Sequence, residues 1–375
     1  MRCAFLIALL VVSQHASGQP NAVPSENSGV LPAVGAWKSL DPMLVGPAST
    51  LFRSDMPFIA PTHACKLPKE IQRLRAISIC PDGSGVLIFT VLDGNDSLVK
   101  VDVNTGATLG EPTKFGKAFR QFTFCRSGAN SLLVRSSRTE ISQVDSNSGK
   151  VIRTFDVDGA SLNFCAAADG ASFAIDTPSG VEIWDLVNGK SRGIVRPEGN
   201  ESIRLVPVAL PSADKILACH MDGDKANFVV LDATTKRKLA ESQIKMGPFA
   251  PSSDLSCMLI ASIESAKWEK AGIWNTTTLE KMSESTLSPS LAAISQKLGP
   301  NGRLLLLQEY MVQPILVFDT KKSEFIAALG PDGYGSVMFD VSPDWRSAAS
   351  IVGPWINGDL QPGWIAVYDL KGVGR

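Results

Sequence analysis

Residues 164–189 read FCAAADGASFAIDTPSGVEIWDLVNG. Two turn signals bracket an apolar passage: Ala167-Ala168-Asp169-Gly170 near its start, and Trp184-Asp185-Leu186-Val187-Asn188-Gly189 at its end. Asp in such turns hydrogen-bonds to its own backbone and Gly supplies a positive φ. Both signals recur along the chain. The first appears as Cys80-Pro81-Asp82-Gly83, Cys125-Arg126-Ser127-Gly128, Pro211-Ser212-Ala213-Asp214, Pro251-Ser252-Ser253-Asp254, Gly299-Pro300-Asn301-Gly302 and Ser342-Pro343-Asp344. Anchored at 82, 127, 169, 214, 254, 301 and 344, it steps by 45, 42, 45, 40, 47 and 43 residues.

The second signal is an apolar residue followed by Asp or Asn. It reads Val101-Asp102, Val144-Asp145, Trp184-Asp185, Leu231-Asp232, Trp274-Asn275, Phe318-Asp319 and Tyr368-Asp369, a mean step of 44.5 residues. Its carboxylate is placed to accept from backbone N–H groups two residues on and so to tie one strand to the next. Seven copies of each signal alternate strictly, and a fixed period of this size marks a repeat architecture.

Between the signals lie short apolar segments such as Val86 to Val91, Leu132 to Arg135, Ile216 to Cys219, Cys257 to Ser262 and Arg303 to Leu307. Bounded by Gly, Pro, Asn or Asp, they have the pattern of buried strands. Each unit reads as four antiparallel strands: an inner strand A, the first turn, strand B, a loop, strand C, the second turn and an outer strand D. Turn-spaced strands without helices indicate an all-β barrel, sandwich or propeller. Four strands per repeat selects the propeller, here with seven blades.

The Pro-Asp-Gly turns and the Trp184-Asp185 and Trp274-Asn275 pairs resemble the WD-repeat and related bacterial, secreted β-propeller families, over about residues 70–375. The eukaryotic WD-repeat pattern carries a Gly-His pair before strand A. Past its first eighteen residues this chain has only His63 and His220, so the likeness is to the degenerate bacterial propellers. The resemblance implies a fold and no particular activity.

The seventh unit comprises Ser336 to Ser342, Ser347 to Val352 and Trp364 to Leu370, leaving only Lys371 to Arg375. A fourth strand must therefore come from the amino-terminal side, since an open edge is an aggregation liability. Ser49-Thr50-Leu51-Phe52-Arg53-Ser54 is the expected closing strand. The expected organisation is a signal peptide at 1–18, a flexible spacer at 19–36, a segment closing or covering the ring at 37–68, and the propeller at 69–375.

The leader is read from Met1-Arg2, the apolar run Cys3 to Val12 and the small residues Ala16 and Gly18 before Gln19. Ten apolar residues reach about half of the ~20 that a spanning helix needs, so cleavage and export to the periplasm or beyond are expected, with no membrane span in the mature chain. Six cysteines follow the leader: Cys65, Cys80, Cys125, Cys165, Cys219 and Cys257. An even number permits disulfides in an oxidising compartment. The last five lie in apolar runs, where cysteine behaves as a small buried hydrophobe, so mostly free thiols are expected.

Lys plus Arg number 36 against 37 Asp plus Glu, with 44% hydrophobic residues, which excludes a disordered chain. The near-zero balance supplies no basic footprint for nucleic acid. Two histidines exclude His-rich metal clusters, and no Gly-x-Ser-x-Gly elbow, phosphate-cradling loop or dinucleotide fingerprint occurs. No cofactor is expected.

In a four-stranded blade the B–C and D–A loops share one face, and their greater length makes it the natural place for function. Its aromatic and basic members are Phe115, Arg120, Arg196, Arg204, Trp268, Tyr310, Tyr334, Trp355 and Trp364; the longest insertion, Gly353 to Gly363, interrupts blade seven. Trp, Tyr and Arg are enriched in binding hot spots. The expectation is a monomeric, non-catalytic scaffold that binds a protein or other macromolecule. The alternatives are a hydrolase- or lactonase-like enzyme at the channel mouth, with His220, Asp222 and Asp224 as acid/base or metal groups, and a glycan-binding propeller.

Overall fold

The computed structural model describes residues 56–373 apart from 72, 81–82, 116–121, 125–130, 136–138, 158–162, 168–169, 197–203, 224, 246, 265–266, 292, 310–313, 331–333, 357–358 and 361–362. The expected leader, the spacer, Ser49 to Ser54 and Cys125 lie outside the described residues.

Two short strands come first, β1 (Phe58–Ile59) and β2 (His63–Lys66). Blade one follows as β3 (Leu74–Ile79), β4 (Gly85–Leu92), β5 (Asn95–Asp102) and β6 (Thr113–Lys114). Blade two comprises β7 (Phe122–Phe124), β8 (Ser131–Arg135), β9 (Glu140–Asp145) and β10 (Val151–Asp156). Blade three is β11 (Phe164–Ala166), β12 (Ser172–Thr177), β13 (Gly180–Asp185) and β14 (Ser191–Val195). Blade four runs β15 (Val206–Ser212), β16 (Lys215–Asp222), β17 (Lys225–Asp232) and β18 (Lys238–Lys245). Blade five is made of β19 (Phe249–Pro251), β20 (Cys257–Glu264), β21 (Lys267–Asn275) and β22 (Lys281–Leu291). Blade six has β23 (Ala293–Leu298), β24 (Leu304–Glu309), β25 (Ile315–Asp319) and β26 (Glu324–Leu329). Blade seven holds β27 (Tyr334–Val341), β28 (Ser347–Ile356), β29 (Asp359–Leu360) and β30 (Trp364–Asp369). The fold is an all-β, seven-bladed propeller with antiparallel blades.

Core packing shows why the inner strands lack a simple in/out alternation. Both faces of a blade are buried, so successive side chains serve two different interfaces. In β24, Leu305 and Leu307 join the cluster shared by blades five and six, while Leu306 points into the cluster of blades six and seven. Every pair of consecutive blades is sealed by its own cluster, including blades seven and one, where Ile351, Ile365 and Val367 meet Ile77, Ile79 and Val86. The ring is thereby closed.

The strand that completes blade seven is β2. His63 to Lys66 pair antiparallel with Trp364 to Val367, and Cys65 enters the core between blades seven and one. The outer position expected for Ser49 to Ser54 is thus taken by His63–Lys66. Just before it, β1 lies parallel to β26 and adds a fifth strand to blade six.

The second turn signal forms the same clasp in blades one to six and a single-bond version of it in blade seven. Asp102 Oδ1 accepts the backbone N–H groups of Asn104 and Thr105 at 2.8 and 2.9 Å. Asp145, Asp185 and Asp232 repeat the pair of bonds, as do Asn275 and Asp319. Asp369 accepts from Lys371 at 2.8 Å. These bonds hold the carboxyls of Asp102, Asp185 and Asp232 below the usual carboxylate range, the leading causes being the N–H groups of Thr105, Asn188 and Thr235 respectively. The clasp requires a left-handed residue four positions on. Gly106, Gly149 and Gly189 serve in the first three blades, but Lys236, Leu279 and Ser323 adopt φ of 60°, 58° and 55° in the next three.

The first signal is reinforced by serine. Ser212, Ser252 and Ser342 each donate to the Asp two residues on, at 2.5, 2.6 and 2.7 Å. Asp254 Oδ2 also accepts the backbone N–H of Asn301 at 3.1 Å, fastening blade five to the 3₁₀ turn Pro300–Gly302 of blade six.

Candidate functional site

The two faces of the ring differ in relief. In blades one, three, four and five only two residues separate B from C: 93–94, 178–179, 223–224 and 265–266. Blades two and six use 136–139 and 310–314. In blade seven, β28 continues four residues past Val352, the last one paired with β30, and Trp355 and Ile356 pair with Leu360 and Asp359 of β29. Gly353 and Pro354 still pair with β27, so the arm beyond the blade's own sheet is the pairing of Trp355 and Ile356 with Leu360 and Asp359, on the face that carries the B–C and D–A loops.

The aromatic and basic residues read from the sequence for this face are differently employed. Trp268 is a correction: it is 2% exposed and belongs to the core between blades five and six. It is the second residue of β21, just past the B–C turn, and its side chain packs into the core shared with the neighbouring blade. Phe115 is half-buried against the core of blades one and two. Trp364 is half-buried against the core of blades six and seven, with the Lys66 ammonium 5.7 Å from its ring centroid. Arg196 is half-buried just past β14. Tyr334 starts β27 opposite Pro354, and Trp355 lies in the arm; both are placed here by their backbone alone. Arg120, Tyr310 and Asp224 lie outside the described residues.

Arg204 is exposed, and its Nε and Nη2 donate to Asp176 Oδ2 at 3.1 and 2.5 Å. Asp176 is fully buried at the end of β12, and its Oδ1 accepts the backbone N–H of Asn163 at 2.8 Å. One carboxylate of blade three therefore fixes the D–A connections on both sides of it. This buried, charge-assisted cluster orders the loops of the face. His220 and Asn227 are a cross-strand pair with Nε2 and Nδ2 3.0 Å apart, while His220 Nδ1 is buried without a hydrogen-bond partner. Asp222 is exposed at the end of the same hairpin, paired across it with Lys225. Among the described residues no three His, Cys, Asp or Glu side chains converge as a metal site. No disulfide joins Cys65, Cys80, Cys165, Cys219 and Cys257 to one another, and burial pushes the thiols of Cys65 and Cys219 up to about 11 and 12.

A second candidate lies at the channel end bounded by the A–B turns. There the inner strands of blades one, five, six and seven enclose a cavity of about 340 Å³. Lys297 Nζ lies 2.6 Å from Asp340 Oδ1, and Ser78 Oγ donates to Asp340 Oδ2, so the inner strands of blades six, seven and one are joined by one polar chain. Asp340 is buried, whereas the Lys297 side chain is 43% exposed. Ser253 Oγ also lines the cavity, buried and without a hydrogen-bond partner.

Reading the sequence for rim loops misses this group. Its signal lies in the repeat itself: Ser78, Lys297 and Asp340 each sit four residues before a first-turn anchor, where blades three and five carry Cys165 and Ala250. Blades two and four carry Thr123 and Leu210 there, so the charged members of this position, Lys297 and Asp340, fall in the adjacent blades six and seven.

No protein-family model and no curated protein matches the chain. The solved structures do contain the architecture. The β-propeller domain of Cps50 (Swd1) from Myceliophteria thermophila superposes with a TM-score of 0.56 at 13% identity, covering 82% of this chain and 99% of that one. With 1379 solved chains matching, the likeness identifies the fold and leaves the role to the residues of this chain.

Proposed function

We propose that the protein is an exported, non-catalytic scaffold that binds a protein or other macromolecule through the face carrying its B–C and D–A loops. The observation that supports this reading is the β-hairpin arm of blade seven, which extends past its blade while four blades turn in two residues. A rigid ring presenting one long arm pre-organises a contact surface, which lowers the ordering cost of binding. Asp176 and Arg204 support the same reading, because they serve to hold the neighbouring loops. Arg196, Tyr334 and Trp355 join the surface in this proposal, and Trp364 supports it from below.

Gly353 and Pro354 pair with Gly335 and Tyr334 of β27, and Gly363 O accepts the backbone N–H of Leu67, so the shortened variant keeps these residues and replaces only 355–361 with a two-residue Asn-Gly turn. The wild-type chain, this shortened variant and Trp355→Ala are compared for binding against envelope and extracellular proteins. A partner held at least tenfold more weakly by both variants, with unchanged melting temperature, is the expected result. Equal binding by all three chains refutes the choice of face. Export is tested separately by sequencing the amino terminus of the product recovered outside the cytoplasm, which should begin at Gln19.

A further inference from the structure

We infer that the channel cavity at the A–B end is a binding site for a small organic carboxylate with an apolar body. Its volume of about 340 Å³ lies at the lower end of the roughly 300–1,000 Å³ range of ligand sites. Both charged groups that line it are already in contact, and their exposure decides which one a ligand meets. Asp340 is 8% exposed, with one oxygen taken by Lys297 and the other by Ser78. Lys297 is 43% exposed, and its ammonium has three donors, only one of which is directed at Asp340. The charge offered to the cavity is therefore positive.

Ser253 supplies the second recognition element. Its backbone N–H is spent on Leu298 O at 2.9 Å, which fixes it beside the strand that carries Lys297. Its hydroxyl is buried, lines the cavity and has no hydrogen-bond partner in the protein. A buried hydroxyl left unmatched is costly to the fold, and a ligand oxygen relieves that cost. Two donors, one charged and one neutral, suit a carboxylate better than any cation. Pro251, Leu298, Val341 and Trp345 also line the cavity and provide apolar contacts for the rest of the molecule. Trp345 is held in place by a positive φ of 58° and by close packing on Gly299.

Phenylacetate, benzylamine and 2-phenylethanol are matched probes that differ in charge. Saturation-transfer NMR and calorimetry on the full chain should show phenylacetate bound at least tenfold more tightly than either of the others. Lys297→Gln keeps a donor for Asp340 and should weaken phenylacetate at least tenfold. Ser253→Ala removes a hydroxyl with no protein partner, so it should leave the melting temperature unchanged or raised while weakening phenylacetate several-fold. The second variant decides the matter where the first fails to fold. Absence of phenylacetate binding, binding of benzylamine as tight as phenylacetate, or phenylacetate affinity unchanged in Ser253→Ala overturns the assignment. None of these results bears on the arm of blade seven, which lies on the opposite face.

Discussion

Asp319 is the clasp residue of blade six and is fully buried. Its Oδ1 accepts the backbone N–H groups of Lys321 and Lys322 at 2.9 and 3.0 Å. Its Oδ2 is buried with no hydrogen-bond partner, and the nearest cation is Arg303 Nη2 at 3.7 Å. Asp319→Ala removes two charge-assisted bonds. Lys321 and Lys322 are exposed, so water can recover part of each lost bond, leaving a net cost of about 1 kcal/mol per bond and about 2 kcal/mol in all. For a domain of this size that corresponds to a fall of roughly 3 °C in melting temperature. Asp319→Asn should behave differently. It keeps the accepting oxygen, as Asn275 does natively in blade five at 2.8 and 2.9 Å. It also removes a buried negative charge whose second oxygen accepts no hydrogen bond and meets only the half-exposed Arg303 guanidinium at 3.7 Å. Its stability should lie within about 0.5 kcal/mol of wild type. Calorimetry, with urea titration to check that the denaturant slope is constant, measures both. If Asp319→Asn loses as much as Asp319→Ala, the net charge matters and the clasp geometry does not; an unaffected Asp319→Ala refutes the clasp altogether.

Tyr368 is completely buried with no partner for its hydroxyl, and burial pushes its ionisation well above the usual range, so Tyr368→Phe should raise stability by about 1 kcal/mol in urea titration. Lys236 is exposed at a φ of 60° where the first three blades use glycine. Lys236→Gly relieves ~1–2 kcal/mol of left-handed strain against a chain-entropy cost of ~0.5–1 kcal/mol, and the expected gain in calorimetry is up to about 1 kcal/mol. Asp102, Asp185 and Asp232 are held below their unfolded value near 3.8, so the unfolded chain binds more protons at low pH. Their stabilisation is present above about pH 4 and is lost as pH falls through the depressed folded values; the urea midpoint should be level from about pH 7 to 5 and drop below 4. Cys65 and Cys219 shift the other way, from 9.0 up to about 11 and about 12. They stabilise the fold below pH 9 and lose that contribution as pH rises beyond it, and a thiol reagent at neutral pH should label Cys219 only after unfolding.

The blade pattern is legible in the sequence because each turn must be solved locally. Asp102 to Gly106 encodes its own clasp, so seven copies survive as a readable period. The closing strand is harder to find, because an outer strand packs on one side only. In His63–Lys66 a single residue, Cys65, is buried, and the two apolar residues Ala64 and Cys65 are adjacent, which gives no alternation to detect. Trp268 shows a different limit. Its place near a B–C turn is correct, but the pairing shifts by a bulge between Ser262 and Ile263, and register decides which way the ring points. The Lys297, Asp340 and Ser78 chain joins three blades spread over 263 positions, so only the closed ring brings the three side chains together.

Closure through β2 orders events in time. Thr62 and Val367 bond across a separation of 305 residues, so the last blade cannot be sealed until both segments are present together. Contacts of such span form slowly. During translation the nascent molecule would hold six sheets in sequence with a raw seam until Trp364–Asp369 emerge to meet β2.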